Sequence, residues 1–307
     1  MKKISILLIA IALLFAMILS ACNETTTTTA PAATTATPGT GAPSTDIDPD
    51  AKVYVKMFKC GKADSFLIRT ETKTVLIDTG EDDDYDKILE YLAEKSITKI
   101  DYMIVTQFNK NHTGSVGAIL DAVEVETILD PTYKKSSTSY TVYTQALAAA
   151  NKTATKVESK MTLELDGAVL TIYPSDVAYA GIDFDEYNSL VVTLSFGGNN
   201  MLFAGDIFGE RINEVTKKLE GQTFDIIKVP NHGTFDTKSE SFLTTFAAKY
   251  AVITASDKNP ADSRILTYLA NAGSNIYITK DGAVEIRLGN GYYQIKQSEL
   301  EWNTVQK

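Results

Sequence analysis

This chain of 307 residues contains two histidines, and each stands in a short polar stretch beside carboxamides. His112 belongs to Thr106-Gln107-Phe108-Asn109-Lys110-Asn111-His112-Thr113-Gly114, and His232 to Pro230-Asn231-His232-Gly233. Imidazoles and carboxylates are the groups that hold transition ions, and such an ion lowers the pKa of bound water from ~15.7 to about 7 for attack on a phosphoester or carbonyl. A carboxamide can offer a hard cation an oxygen, but it lacks the charge and the nitrogen donor that zinc prefers. Other chemistries find less in the sequence, which shows no nucleophile with a paired base and no glycine-rich loop leading into a helix to cradle phosphate. Taken singly, these residues also have ordinary structural readings. His112 is then a polar residue at a helix start, His232 part of a turn that needs only its glycine, and Asp206 the cap of a helix near Phe208.

The elements around these residues must position them. Residues 100–105 are a β-branched and aromatic run bounded by polar residues, the pattern of a buried strand, and 113–121 can start a helix with Thr113 as its cap. Upstream, 53–58, 65–69 and 74–78 read as three strands with short polar connections, closing on Asp78-Thr79-Gly80. A helix is expected over 85–95, where the acidic run Glu81-Asp82-Asp83-Asp84 suits a helix amino terminus. Downstream, 123–129 predict a strand and 143–150 a helix. The second half repeats the pattern. Strands over 161–165 and 168–173 flank Asp166-Gly167, and strands over 188–194 and 200–206 flank Gly197-Gly198-Asn199.

Cys60-Gly61-Lys62-Ala63-Asp64-Ser65 followed by Leu76-Ile77-Asp78-Thr79-Gly80 is similar to the VGQGDS…LIDTG opening of the metallo-β-lactamase-like extracellular domain of ComEC-type competence proteins. The block from Asn188 to Asp206 resembles the same family. So do Asp225-Ile226-Ile227-Lys228-Val229-Pro230-Asn231-His232-Gly233-Thr234, like its LKVPHHGS string, and the segment from Ala251 to Pro260. The resemblance spans roughly residues 53–288. It implies an α/β (α+β) fold, a four-layer αββα sandwich of two mixed β-sheets with helices outside.

Laid onto the family's HxHxDH metal loop, Gln107 stands for the first histidine, Asn109 for the second and Asn111 for the aspartate, while His112 is retained. Asn231 replaces one of a pair of histidines and His232 keeps the other. Asp206 matches the aspartate that bridges two metals, and Asp78 the carboxylate that buttresses the metal loop from behind. The family's middle histidine has no counterpart in 134–139. The resemblance therefore implies a lost first metal position. The second retains His112, Asp206 and one residue of the Asn231–His232 pair, with Asn111 as a weak fourth ligand. The expected cofactor is none, or one divalent transition metal (Zn, Mn or Fe), and not a full dinuclear zinc site. Two functional readings stay open. One is an eroded, non-catalytic domain that binds a ligand or partner. The other is a mononuclear metal-dependent hydrolase of a phosphoester, nucleotide or envelope substrate, with His112, Asp206 and His232 as metal ligands and His112 and Asp206 as catalytic residues.

The amino terminus bears on where this happens. Lys2 and Lys3 precede an apolar run ending in Leu19-Ser20-Ala21-Cys22, which looks like a bacterial lipobox. The resemblance implies a signal peptide over 1–22, lipidation at Cys22 and a lipid anchor on the extracytoplasmic face of the membrane; an ordinary signal peptide or an uncleaved anchor is the alternative. Residues 23–50 are dominated by Thr, Ala and Pro, a composition that cannot bury enough surface to offset ordering entropy and reads as a tether before the domain at 51–307. If Cys22 carries lipid, Cys60, the other cysteine, has no disulfide partner. The formal net charge of −10 disfavours nucleic acid as a partner, since such affinity comes largely from Lys and Arg displacing counterions.

Overall fold

The computed structural model describes residues 50–177, 184–298 and 300–307. The expected signal peptide, Cys22 and all of the tether before Asp50 lie outside the described residues. Among the described residues no helix is long and apolar enough to cross a membrane.

The first half runs β1 (Val53–Met57), β2 (Phe66–Arg69), β3 (Thr74–Ile77), α1 (Tyr85–Glu94), β4 (Lys99–Ile104), α2 (Lys110–Thr113), α3 (Val116–Ala122), β5 (Glu124–Asp130), α4 (Thr138–Ala149) and β6 (Ala154–Lys156). The second half opens with β7 (Met161–Leu165), β8 (Ala168–Tyr173), α5 (Phe184–Tyr187), β9 (Val191–Phe196), β10 (Asn199–Phe203), α6 (Glu210–Lys218) and β11 (Ile226–Lys228). It closes with a 3-10 turn (Pro230–Gly233), α7 (Ser239–Phe246), β12 (Tyr250–Ile253), α8 (Ser263–Asn271), β13 (Asn275–Ile278), β14 (Val284–Gly289), β15 (Tyr292–Gln297) and β16 (Asn303–Gln306).

The strands form two mixed sheets, ordered β16-β15-β14-β1-β2-β3-β4-β5-β6 and β13-β12-β11-β10-β9-β8-β7. Three apolar clusters fix the layering. One, with Val55, Phe66, Ile77, Leu170, Phe203 and Ile226, joins residues of both sheets. A second packs Ile227, Ala251 and Ile253 of the seven-stranded sheet on α6, α7 and α8, and a third packs Leu76, Met103 and Ile128 of the nine-stranded sheet on α1, α3 and α4. The result is the four-layer αββα sandwich with helices outside. Runs such as Thr74–Ile77 and Tyr250–Ile253 are buried throughout because both of their faces are covered, so they read as continuous rather than alternating apolar segments.

Local chemistry explains the turns. Asp166 and Gly167 have φ of 52° and 87°, and Gly197 and Gly198 have 57° and 82°, the two positive values that a twist-matched two-residue hairpin turn demands. The expected cap fails. Thr113 does not cap a helix over 113–121: it ends the short α2 and its hydroxyl donates back to the Asn109 carbonyl at 3.2 Å, and α3 starts only at Val116. The break between the helices lets Gly114 press against the loop after β3. A Cβ on Gly114 would lie 2.4 Å from the backbone of Glu81 and Asp82, closer than real contacts allow.

Candidate functional site

Two parallel strands, β3 and β4, end side by side and deliver Asp78 and Thr106 to the same place. The Asp78 Oδ1 accepts the Thr106 backbone N–H at 2.7 Å, and its Oδ2 accepts the Thr106 hydroxyl at 2.6 Å and faces His112 Nδ1 at 2.9 Å. Backbone bonds then lace the neighbouring loops together: Thr79 N to the His112 carbonyl at 2.8 Å, Asp64 N to the Asn111 carbonyl at 3.1 Å, and Gly80 N to the Asp64 carbonyl at 2.8 Å. These contacts fix the His112 ring so that Nε2 points toward the second sheet.

The opposite half supplies Asp206 and His232. Gly205, with φ of 59°, turns the chain off β10, and Asn231 N donates to the Gly205 carbonyl at 3.1 Å. Asp206 is no helix cap, since Gly209 stands at the start of α6. Its Oδ2 lies 3.0 Å from His112 Nε2, 2.9 Å from His232 Nε2 and 2.8 Å from Gln107 Nε2. Asn231 and His232 both have positive φ, 43° and 54°, and this sharp turn brings His232, not the Asn231 carboxamide, to Asp206. The His232 Nδ1 is held from behind by the Thr254 carbonyl at 3.0 Å. One ligand atom from each of His112, Asp206 and His232 can be chosen so that all lie within 4.8 Å of one another.

The three carboxamides of the central loop do different things. Gln107 is fully buried and its Nε2 also lies 2.7 Å from His112 Nε2. Asn111 Nδ2 lies 2.9 Å from His232 Nε2. Asn109 stands at the rim, donating to Gln107 Oε1 at 3.1 Å and Glu186 Oε1 at 3.2 Å while its own oxygen accepts Lys135 Nζ at 2.9 Å. Lys135 and Tyr133 in turn both bond the carboxylate of Asp185.

Lys228, which the sequence reading left without a role, sits at the junction. Ile226 and Lys228 share the inward face of β11, and Ile226 enters the core between the sheets. Lys228 is fully buried, with Nζ 2.6 Å from Asp64 Oδ2, 3.1 Å from Asp206 Oδ1 and 2.8 Å from the Gly205 carbonyl. A lysine interrupting Ile226-Ile227-Lys228-Val229 was the available signal, because a charge inside a continuous apolar strand needs buried partners. Lys135, Tyr133 and Asp185 carried no such local signal; they meet across the fold.

Charges follow this geometry. Burial opposes ionisation of Asp206, but His232, Lys228 and His112 around it prevail and hold its pKa well below the usual carboxylate range. Burial likewise opposes a charge on His112, and Asp206 and Asp78 outweigh it, raising its pKa well above the ordinary imidazole value. Burial raises Asp78 itself. The signs give an expected pH profile. The stability that Asp206 supplies is present above its unfolded value of ~3.9 and is lost as pH falls through its depressed folded value. That of His112 is complete below ~6.5 and is lost as pH rises through its elevated one. The urea midpoint should therefore decline on the alkaline side, and His112→Gln should flatten that decline; an unchanged slope in the variant would rule His112 out as its source. Cys60, buried and raised by desolvation and Asp84, is an inert packing group.

The chain matches the metallo-beta-lactamase superfamily over residues 59–255. It belongs to that superfamily. Among curated proteins it is 24% identical over 229 residues to ComE operon protein 3 of Bacillus subtilis (strain 168), an alignment covering 67% of this chain and 28% of that protein. Two solved folds are similar: the metallo-beta-lactamase fold protein YhfI from Bacillus subtilis, with TM-score 0.53 and 11% identity over 76% of this chain and 99% of YhfI, and Zn(2+)-bound PqqB from Methylobacterium extorquens, with TM-score 0.52 and 11% identity over 74% and 97%. Measured against a metallo-beta-lactamase dinuclear centre, the donor set here does not fit, because carboxamides stand at 107, 109 and 111. Two imidazoles and a carboxylate make a single divalent ion plausible on donor chemistry alone.

Proposed function

We propose that this metallo-β-lactamase-fold domain is a non-catalytic binding module, tethered by a lipid on Cys22 to the extracytoplasmic face of a bacterial membrane, where it engages an envelope ligand or partner. The observation that carries this reading is the position of Gln107, whose carboxamide nitrogen packs against both His112 Nε2, at 2.7 Å, and Asp206 Oδ2, at 2.8 Å. Hydrolysis in this fold depends on water activated at metal ions, and the side chains at the first metal position have lost the groups that would hold one. No residue of the cluster substitutes for that activation. Lys228 is committed to Asp64 and Asp206, and His112 to Asp78 and Asp206. The acidic body argues against a polyanionic partner.

The second reading, a mononuclear hydrolase held together by His112, Asp206 and His232, is favoured by the convergence of those three groups. Metal analysis and an ester assay separate the two. The expected result is no zinc, manganese or iron above background and no cleavage of bis(p-nitrophenyl) phosphate with added Mn²⁺ or Zn²⁺. Stoichiometric metal that disappears in His112→Ala or Asp206→Asn, together with turnover, would replace the first reading by the second.

A further inference from the structure

The relay of side chains above Asp206 fixes which end of Gln107 faces the cluster. Lys135 has only donors, so the atom of Asn109 that meets it at 2.9 Å is the carboxamide oxygen. That turns Asn109 Nδ2 toward Glu186 Oε1, an acceptor, and toward Gln107 Oε1. The oxygen of Gln107 is thereby spent on Asn109, and its NH₂ is left facing Asp206. Gln107 Nε2, His112 Nε2 and Asp206 Oδ2 form a triangle with sides of 2.7, 2.8 and 3.0 Å. A zinc ion bonds histidine nitrogen at ~2.0–2.1 Å and carboxylate oxygen at ~2.0–2.2 Å, so an ion approaching both ligands from that side meets the carboxamide first.

We propose that Gln107 is a built-in plug. Its NH₂ group takes the place of an ion against His112 and Asp206, so that these two ligands are kept from metal by one side chain. This deepens the non-catalytic reading and rests on it. The ligand geometry is otherwise intact: Asp78 and the Thr254 carbonyl orient the two rings from behind as partners of ligating histidines do. Asn111 Nδ2 covers His232 Nε2 in the same manner at 2.9 Å. Removing the plug should therefore create metal affinity in a protein that otherwise has none.

The test compares thermal unfolding of the untagged full chain and its Gln107→Ala variant, each stripped with EDTA and then given zinc chloride. The wild type should shift by less than about 1 °C and Gln107→Ala upward by roughly 5 °C, the effect of a ligand well above its dissociation constant on a domain of this size. The shift should vanish in Gln107→Ala/His232→Ala. An equal shift in the wild type, or none in a folded Gln107→Ala protein, overturns the proposal. Should Gln107→Ala fail to fold, Gln107→Glu keeps the shape and sets a carboxylate beside Asp206. It should be destabilised without metal and recovered by zinc, and indifference to zinc would again overturn the plug. Failure here is distinct from failure of the functional reading. A zinc-blind variant removes the plug but leaves a non-catalytic domain, whereas metal-dependent turnover by the wild type removes the reading itself.

Discussion

Lys228→Met should lower the unfolding free energy by about 3–5 kcal/mol, the usual consequence of removing one partner from a buried ion cluster. In thermal unfolding this is a loss of roughly 10 °C for a domain of this size. Lys228 is fully buried and so is Asp64, whose Oδ2 faces Nζ at 2.6 Å. The contact is ionic more than a well-aligned hydrogen bond, because neither Asp64 side-chain oxygen has a hydrogen-bond partner among the described residues. Burial works against the Lys228 charge, and the carboxylates of Asp64 and Asp206 prevail and raise its pKa. The methionine variant would leave Asp64 in the interior without its ammonium partner, the His232 Nδ1 lying 3.5 Å from its Oδ1. One ammonium thus holds a carboxylate from each half. The double variant Lys228→Met/Asp64→Leu should recover much of the loss, since an apolar replacement removes the uncompensated charge. A single variant within about 1 kcal/mol of wild type would show that the carboxylates tolerate the loss of their cation, and the account of this junction would be wrong.

Asp78→Ala is the second large effect expected, again about 3–5 kcal/mol in urea unfolding. The side chain is the acceptor for the Thr106 N–H, the Thr106 hydroxyl and the ring of His112, all buried. Each donor stranded in the interior costs about 1–3 kcal/mol, and more when charged. Asp78→Asn keeps one carbonyl oxygen and should lose about half as much. Equal losses in the two variants would mean that the carboxylate charge, and not the count of acceptors, is what Asp78 contributes. Asp78 also has a φ of 56°, which asparagine tolerates better than alanine, so the two variants separate further in the expected direction.

Much of the architecture was legible in local pattern. The alternating or continuous apolar runs and the Asp166-Gly167 and Gly197-Gly198 turns act over a few residues, and the elements they specify form within a residue or two of the expected bounds, apart from the later starts of α3 and β9, the earlier start of α4 and the earlier end of β10. Thr113 shows where local reasoning failed. A threonine before an apolar run can cap a helix, but here the chain spends an extra turn on α2 so that Gly114 can meet Glu81 and Asp82. That choice is made by packing between loops more than thirty residues apart in sequence.

The candidate site divides the same way. Sequence alone determined which groups are present: two imidazoles, Asp206, and carboxamides at 107, 109, 111 and 231. Donor type is a property of the residue, so the carboxamide character of positions 107, 109 and 111 could be read without coordinates. Only the tertiary structure decided which atoms meet. It chose His232 over Asn231 through two successive positive φ angles, drew Lys228 and Asp64 from opposite halves onto a shared charge, and turned the Gln107 nitrogen toward Asp206 through a chain of contacts that begins at Lys135. Hydrogen-bond direction and ion pairing depend on distances of a few tenths of an ångström between residues far apart in the chain, and those distances exist only once the two sheets have closed on each other.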